Sequence, residues 1–193
     1  MTREASDGAT PLDAGEVEGL LADHLTTRDQ LNEWEQQNIL EATVWAESRH
    51  GPDPLTVDGL RDLHRRMFNE TWDWAGIFRT TDRNIGVPAE SVWVSLRHLL
   101  DDVQFWLENG TYGPREAAAR FHHRLVLIHP FANGNGRWAR LAADLLLRRH
   151  DETAFDWGEN LTDDGGPRTA YIAALRCADA GDYGPLLAFL RIA

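Results

Sequence analysis

The sequence predicts a mostly α protein, a single helical domain that carries one small β-hairpin. Three observations lead to this prediction. Apolar residues recur at helical spacing over most of the 193 residues, residues 72–87 replace that spacing with glycine and β-favouring residues, and no repeat or low-complexity linker divides the chain. A chain of this length buries about 70% of its unfolded surface, so one hydrophobic core is sufficient.

The chain is predicted to begin with an acidic tail, residues 1–25, followed by the folded domain, residues 26–193. The tail is rich in acidic, small and turn-forming residues, which do not build a core. Thr27 and Gln30 form a capping-box pattern at the start of a long first helix. Its buried stripe is predicted to contain Leu31, Trp34, Asn38, Ala42 and Trp45.

A second helix follows a break at Gly51, Pro52 and Pro54, and Thr56 is its predicted N-cap. Its inward stripe is predicted to contain Leu60, Leu63, His64, Met67 and Phe68. Because His64 lies on this apolar stripe, we expect a hydrogen-bonded core histidine rather than a metal ligand.

The predicted hairpin consists of two short strands within residues 72–87, joined by a turn near residues 81–84. A hairpin this small needs support from the helices. Helical spacing returns over residues 93–107 and stops at Asn109 and Gly110, which favour the end of a helix.

The last helices are marked by a proline and by apolar spacing. Pro114 is tolerated in the first turn of a fourth helix, which stops at residues 129–130. Arg137 is predicted to open a fifth helix, and a final helical pair is expected around residues 174–175 and 186–189.

Composition excludes several classes of function. The net charge of −12 repels nucleic-acid phosphates and anionic lipids, so we expect neither nucleic acid nor membrane as a partner. No apolar run is long enough to span a bilayer, and the single Cys177 fits a reducing compartment, which predicts a cytoplasmic protein. Residues 115–149 nevertheless carry seven arginines against two acidic residues, which indicates a segment that meets an anion.

The basic segment contains a pattern suited to binding phosphate. Gly134 and Gly136 flank Asn135 at a predicted helix start, where free N–H groups converge and the helix dipole is positive. Arg137 and Arg140 are three residues apart and so project from one face of the same helix.

His129 lies immediately before this pattern and is the side chain best suited to accept a proton near neutral pH. Each feature alone is more often structural, but their conjunction within twelve residues predicts a hydroxyl that is deprotonated beside a bound phosphate.

Residues 129–140, HPFANGNGRWAR, resemble the signature of Fic-domain proteins, H-x-F-x-[D/E]-G-N-G-R-x-x-R, and depart from it only at Asn133. Residues 75–79 and 85–86 look like the Fic flap, and residues 171–190 resemble the usual Fic ending. The resemblance implies a Fic-like helical domain with a hairpin flap. The subgroup most similar to this sequence is mobile mystery protein B, whose genes pair with one for a helix-turn-helix protein.

The resemblance implies a protein adenylyltransferase that moves AMP from ATP to a Ser, Thr or Tyr hydroxyl of a target protein, with His129 as the catalytic base. It implies that nucleotide is bound by Gly134, Asn135, Gly136, Arg137 and Arg140. It implies that the target is aligned by strand-like pairing with the flap residues Ile77, Phe78, Arg79, Thr80, Thr81 and Asp82.

Asn133 replaces the Asp or Glu that usually holds Mg²⁺ in this family. An amide supplies an oxygen but no charge, so Mg²⁺ is expected to be held more weakly. Two alternatives therefore stay open: a nucleotide-binding Fic module with weakened catalysis, and an interaction scaffold that docks partners on the hairpin edge.

Many Fic proteins also carry a self-inhibitory helix, [S/T]-x-x-x-E-[G/N], whose glutamate pairs with the last arginine of the motif. Residues 43–48 and residues 14–19 each miss one position of this pattern, so we expect ordinary helix and tail there. Inhibition is then expected from a separate protein, such as the helix-turn-helix partner of a toxin–antitoxin-like pair.

Other histidines and tryptophans have simpler interpretations. His122 and His123 point about 100° apart on a helix, which disfavours a zinc site with His129. Packing around the hairpin is the favoured role of the tryptophans near the motif, with adenine stacking as the alternative; these are Trp72, Trp74 and Trp138.

Overall fold

The computed structural model describes residues 19–21, 28–48, 50–158, 161 and 166–192. The predicted capping residue Thr27 and most of the acidic tail lie outside these residues. The described residues form seven α-helices: α1 Arg28–Ala46, α2 Val57–Phe68, α3 Val92–Glu108, α4 Pro114–Ile128, α5 Asn135–Arg149, α6 Gly166–Asp179 and α7 Gly184–Phe189. The predicted mostly α fold is confirmed.

The core is centred on α4 and α5, which share the most extensive helix–helix interface of the described residues. Phe121 and Leu125 of α4 and Trp138 of α5 are completely buried there. The indole Nε1 of Trp138 donates to the Leu60 carbonyl at 2.9 Å and so ties α5 to α2. None of the described helices is both long enough and apolar enough to cross a membrane.

The ends of the helices follow the signals in the sequence. The Thr56 hydroxyl accepts the Gly59 N–H at 3.0 Å and caps α2, as predicted. Pro114 occupies the first turn of α4, and α3 ends before Gly110, which has a φ of +62°. Helix α5 begins at Asn135, two residues earlier than the predicted start at Arg137.

The predicted β-hairpin is not formed: residues 72–88 contain no strand, and the backbone runs through turns, bends and irregular loop. The arms of this loop are joined by a side chain instead of a ladder of backbone hydrogen bonds. The Arg79 guanidinium donates to the carbonyl of Thr81, at the start of the expected turn, and to that of Val87, after it. We keep the name flap for residues 77–88.

A short segment before α1 lies against residues 71–73, which precede the flap. The Leu21 N–H donates to the Thr71 carbonyl at 2.8 Å, and the Asp73 N–H donates to the Gly19 carbonyl at 2.9 Å. These bonds frame an isolated antiparallel bridge between Leu20 and Trp72. Of the predicted tail, residues 19–21 therefore lie over the surface of the domain.

Candidate active site

His129 ends α4 in a left-handed conformation, with φ 53° and ψ 61°. This conformation costs a residue with a Cβ about 1–2 kcal/mol, so surrounding contacts must hold it. The His129 N–H donates to the Leu125 carbonyl at 3.1 Å, and its own carbonyl accepts Arg79 Nε at 2.7 Å. The backbone on both sides of the imidazole is therefore fixed by hydrogen bonds.

The His129 side chain is nearly enclosed, since only 5% of the residue is exposed. Burial lowers the pKa of His129 to about 4, and the positive charges of Arg79 and Arg83 act in the same direction. The imidazole is consequently neutral at pH 7, which is the state that a general base requires.

The loop between His129 and α5 is closed by Asn135. Its Oδ1 accepts the Phe131 N–H at 2.9 Å, and its Nδ2 donates to the Phe131 carbonyl at 2.9 Å. Because both atoms of this buried amide are used inside the loop, the Asn135 side chain is structural. What this residue can offer to an anion is its backbone N–H at the start of α5.

The two glycines beside Asn135 differ in their steric surroundings. A Cβ on Gly134 would lie 2.5 Å from the Phe68 ring, and its φ of +76° is unfavourable for other residues. A Cβ on Gly136 would meet nothing closer than Arg140 Nη1 at 3.8 Å. The protein itself therefore leaves space over Gly136, beside Arg140, that a bound group can use.

Arg137 contacts an acidic residue that the sequence analysis did not single out. Its Nη1 lies 2.8 Å from Glu35 Oε2, and its guanidinium stacks over the Phe68 ring at 5.0 Å. Glu35 is 8% exposed, and its other oxygen accepts Trp72 Nε1 at 2.6 Å. The available signal was the spacing, since Glu35 falls three residues before Asn38 on the buried stripe of α1.

Arg140 lies beside a tyrosine of α6. Its guanidinium is 5.9 Å from the centre of the Tyr171 ring. The Tyr171 hydroxyl also pairs with His122 Nε2 at 2.9 Å. His122 is completely buried, which lowers its pKa to about 3, so it takes part as a neutral ring.

His64 connects the residue just before the flap with the motif loop, residues 130–135. Its Nδ1 accepts the Gly76 N–H at 3.0 Å, so Nε2 carries the proton and donates to the Asn133 carbonyl at 3.0 Å. The ring stacks on Phe131 at a centroid distance of 3.6 Å. Burial lowers the pKa of His64 to about 3, and the predicted core histidine is confirmed.

Asn133 lies where the family signature has an acidic residue. Its Oδ1 accepts the Gly134 N–H at 2.6 Å, so the amide oxygen faces its own backbone. Among the described residues, no group of three or more His, Cys, Asp or Glu side chains is placed to hold a metal ion. One neutral oxygen that already accepts a hydrogen bond does not make a magnesium site on its own.

The predicted flap residues divide into two groups. Ile77 is 54% exposed, and Thr80, Thr81 and Asp82 are also exposed. The other two point inward: Phe78 contacts the Phe131 ring at 5.5 Å, and the Arg79 side chain is buried. The Arg79 N–H donates to the Pro130 carbonyl at 2.9 Å, which holds the flap beside the motif loop.

Of the two near-matches to the inhibitory pattern, only residues 43–48 are fully described, and their glutamate contacts Arg148, which is not a motif residue. Glu47 lies 2.7 Å from Arg148, on the exposed side of α5. Residues 14–18 of the other string lie outside the part of the chain that the structure describes. Among the described residues, the carboxylate of Glu35 contacts a motif arginine, Arg137.

The tryptophans near the motif have packing roles. Trp138 is completely buried, and Trp72 is nearly so, which removes both as platforms for adenine. Trp74 is half-buried and stacks on Trp72 at a centroid distance of 5.0 Å. Packing, the favoured interpretation, is confirmed for Trp72 and Trp138.

Fold and site together define a helical domain in which a buried, neutral histidine precedes a glycine-rich helix start with two arginines. The model of the Fic/DOC family matches residues 54–147. The chain belongs to the Fic/DOC family, and the resemblance seen in the motif is confirmed.

Known relatives agree with this assignment. The chain is 33% identical over 146 residues to protein adenylyltransferase fic-1 of Caenorhabditis elegans, covering 72% of this chain and 27% of that protein. It is 33% identical over 128 residues to the uridine 5'-monophosphate transferase of Xanthomonas campestris, covering 57% of this chain and 23% of that protein.

A solved structure of C. elegans Fic-1, residues 134–508, superposes with a TM-score of 0.66 at 28% identity. The match covers 90% of this chain and 51% of that one. The chain therefore spans about a quarter of the two curated relatives and half of the solved chain.

Proposed function

We propose that this protein is a protein adenylyltransferase that transfers AMP from ATP to a Ser, Thr or Tyr hydroxyl of a target protein. The observation that carries the proposal is the position of His129, a buried neutral imidazole on the loop that leads into the glycine-rich start of α5. The name and similarity of the C. elegans relative support the same activity.

In the proposed reaction, the target hydroxyl oxygen attacks the α-phosphorus of ATP and its proton passes to the His129 imidazole. A new P–O bond forms, the bond from the α-phosphorus to the bridging oxygen breaks, and pyrophosphate leaves. The N–H groups at the start of α5, together with Arg137 and Arg140, would stabilise negative charge on the phosphates. Positioning and electrostatics supply most of the acceleration in phosphoryl chemistry.

The exposed flap residues are proposed to align the target. Ile77 offers an apolar contact, and the exposed segment of Thr80, Thr81 and Asp82 offers backbone and hydroxyl groups for strand-like pairing. The side chains of Phe78 and Arg79 point inward, so any part they take in aligning the target is proposed to come through the backbone of the flap.

Mg²⁺ is proposed to arrive with ATP rather than to bind a site of this chain. Asn133 offers at most one neutral oxygen, so the phosphates and water would supply the remaining ligands. When bound, the ion would neutralise phosphate charge, and no role of His129 depends on it.

The wider biology is also part of the proposal. We propose that the catalytic domain comprises residues 26–193 and follows an acidic segment. We further propose that the protein belongs to the subgroup of mobile mystery protein B, acts in the cytoplasm, and is the toxin of a pair whose partner inhibits it. Support comes from the motif, the single cysteine and the absence of a contact from Glu47 to Arg140 in the described residues.

Labelled nucleotides test the activity. The full chain is incubated with cell lysate and ATP labelled at the α- or γ-phosphate, and proteins are separated on a gel. Label from the α-phosphate alone supports AMP transfer, whereas label from the γ-phosphate indicates phosphotransfer. Because one relative is named a UMP transferase, α-labelled UTP is run in parallel to determine the preferred nucleotide.

Calorimetry with ATP distinguishes the alternatives if no protein is labelled. Saturable ATP binding without transfer would favour a nucleotide-binding module, which the neutral residue at position 133 makes the second candidate. No binding would favour an interaction scaffold. Arg137→Ala and Arg140→Ala should each weaken ATP binding about tenfold or more, whereas Arg97→Ala on the exposed face of α3 serves as the matched control.

A further inference from the structure

Arg79 makes an unusual set of contacts for a flap residue. Its side chain is completely buried. Nε donates to the His129 carbonyl at 2.7 Å, and Nη1 donates to the Thr81 carbonyl at 3.0 Å. Nη2 donates to the carbonyls of Val87 and, at 3.4 Å, Ile128. One guanidinium therefore joins both arms of the flap to the end of α4.

The charge of Arg79 is stabilised mainly by these carbonyl oxygens. The nearest carboxylate, Asp82, lies 3.9 Å away and is 73% exposed, so its contribution is weakened by water. Burial lowers the pKa of Arg79, which shows that the site disfavours the charge it holds. Burying a charged guanidinium costs free energy, so closure of the loop alone does not explain its presence here.

Gly86 provides a second, steric observation. A Cβ at this position would lie 2.8 Å from Arg79 Nη2 and 2.8 Å from the Cβ of His129. The φ of Gly86 is +108°, which other residues rarely adopt. On its inner side the returning arm of the flap therefore lies against both Arg79 and His129, and no space is left for a Cβ at Gly86.

We propose that Arg79 is a positioning residue for the transfer reaction. It fixes the backbone of His129 and holds the flap closed beside it, so that the imidazole and the target segment keep a fixed position relative to each other. This inference rests on the proposed function. It adds a role for the Arg79 side chain, which faces the protein interior, to the expectation that the flap aligns the target by strand-like pairing. A displacement of about 1 Å at a reacting group can reduce a rate about 10²-fold.

Arg79 also affects the proton affinity of the base. Burial is the main cause of the lowered pKa of His129, and the charges that face it are Arg79 and Arg83, both of which favour the neutral ring. A hydrogen bond with the Val126 backbone opposes them. Geometry and charge can thus be separated by two substitutions at position 79.

Arg79→Lys retains the charge but loses the planar set of donors, whereas Arg79→Gln removes the charge. With Arg79→Lys we expect kcat to fall about 10- to 100-fold while the affinity for ATP stays within about twofold and the pKa of His129 stays low. With Arg79→Gln we expect a similar fall in kcat and a rise of the His129 pKa toward 6.5. Arg97→Lys on α3 is the control for the same chemical change at an exposed site.

Two measurements need no transfer activity: the pKa of His129 by NMR, and amide hydrogen exchange of the flap. In Arg79→Lys we expect the amides of Arg79 and Val87, which bond to Pro130 and Ile128, to exchange at least about tenfold faster. Gly86→Ala, which displaces the guanidinium without replacing it, should give the same pattern if a variant at position 79 fails to fold.

The outcomes distinguish the proposed transferase function from the positioning role of Arg79. If the unmodified protein transfers no nucleotide, the proposed function fails, and the role of Arg79 is judged by exchange and the His129 pKa alone. Unchanged flap exchange in both Arg79→Lys and Gly86→Ala would overturn the positioning role. So would a wild-type kcat in Arg79→Lys in a protein that is active.

Discussion

Arg137 Nη1 lies 2.8 Å from Glu35 Oε2, so one of the two arginines expected to hold phosphate is already paired with a buried carboxylate. Trp72 Nε1 donates to the other oxygen of Glu35 and fixes its orientation. An incoming triphosphate must share Arg137 with this negative charge. Helix α1, which precedes the matched family region, therefore affects the electrostatics of the site.

Neutralising Glu35 should strengthen nucleotide binding. Glu35→Gln keeps an acceptor for Trp72 and removes the charge that competes for Arg137, so we expect ATP to bind about 3- to 10-fold more tightly by calorimetry. Glu33→Gln, on the exposed face of α1, is the control. Weaker binding in Glu35→Gln would mean that the carboxylate orients Arg137 for the nucleotide instead of competing with it.

Removing the imidazole should abolish most of the chemistry and little of the binding. His129→Ala is expected to lower AMP transfer by about 10²- to 10⁴-fold because general base catalysis contributes on that order. The dissociation constant for ATP should stay within about twofold. His98→Ala, an exposed histidine of α3, is the control, and comparable loss in both variants would refute the assignment of His129.

The pH dependence of transfer should differ from that of an ordinary histidine. A base with a pKa of about 4 stays unprotonated well below pH 6.5, so kcat/KM is expected to be level from pH 8 down to about 5. An exposed imidazole would lose half its activity near pH 6.5. A midpoint at that value would show that water reaches the His129 ring in solution.

Acid should destabilise the fold through its buried histidines. His64 and His122 have folded pKa values of about 3, below the ordinary 6.5, so the unfolded chain binds more protons as the pH falls from 6.5 toward 3. The free energy of unfolding therefore falls by up to about 1.4 kcal/mol per pH unit for each ring. Urea titrations at pH 7 and pH 5 should show a smaller loss in His122→Gln than in the unmodified protein.

Asp144 provides a control of opposite sign. Burial raises its pKa to about 6, so between pH 6 and its ordinary value of 3.8 the folded chain binds more protons, and acid favours folding there. In Asp144→Asn the loss of stability toward pH 5 should become larger. Equal pH dependence in all three proteins would contradict the assigned protonation states.

A carboxylate at position 133 should increase the role of magnesium. Asn133→Asp adds a charged oxygen at the start of α5, so the magnesium concentration for half-maximal transfer is expected to fall. The titration is run at fixed ATP, with Asn109→Asp on the exposed end of α3 as the control. An unchanged midpoint would remove position 133 from the metal site, and a fall in activity would show a site built to work without that charge.

The helices were predictable because their signals are local. Thr56, Pro114 and Gly110 act within one turn of the helix ends that they mark, and the apolar stripes need no partner to be recognised. The motif was predictable for the same reason, since its residues lie within twelve positions. The start of α5 at Asn135, earlier than predicted, depends on the Asn135 side-chain amide, which bonds back to Phe131. The spacing of residues alone does not show this contact.

The contacts that the sequence did not predict are distant in the chain. Glu35 and Arg137 are 102 residues apart, and Arg79 and His129 are 50 apart. The flap has β-favouring residues, but the Arg79 side chain occupies the carbonyls that a hairpin would have used. There the β propensity was overridden by one side chain, which bonds within the flap and also to His129, 50 residues away.

Both asparagines of the motif loop precede a glycine, and such pairs age chemically: the next backbone nitrogen attacks the side-chain carbon, ammonia leaves, and water opens the ring to an acidic residue. Asn135 resists this because both atoms of its amide are bonded to Phe131. Asn133 is half-buried, and its Oδ1 lies 2.6 Å from the Gly134 nitrogen that would attack. Within the motif loop, storage therefore adds negative charge at position 133 before position 135, and the mass of each sample must be measured before its response to magnesium is compared.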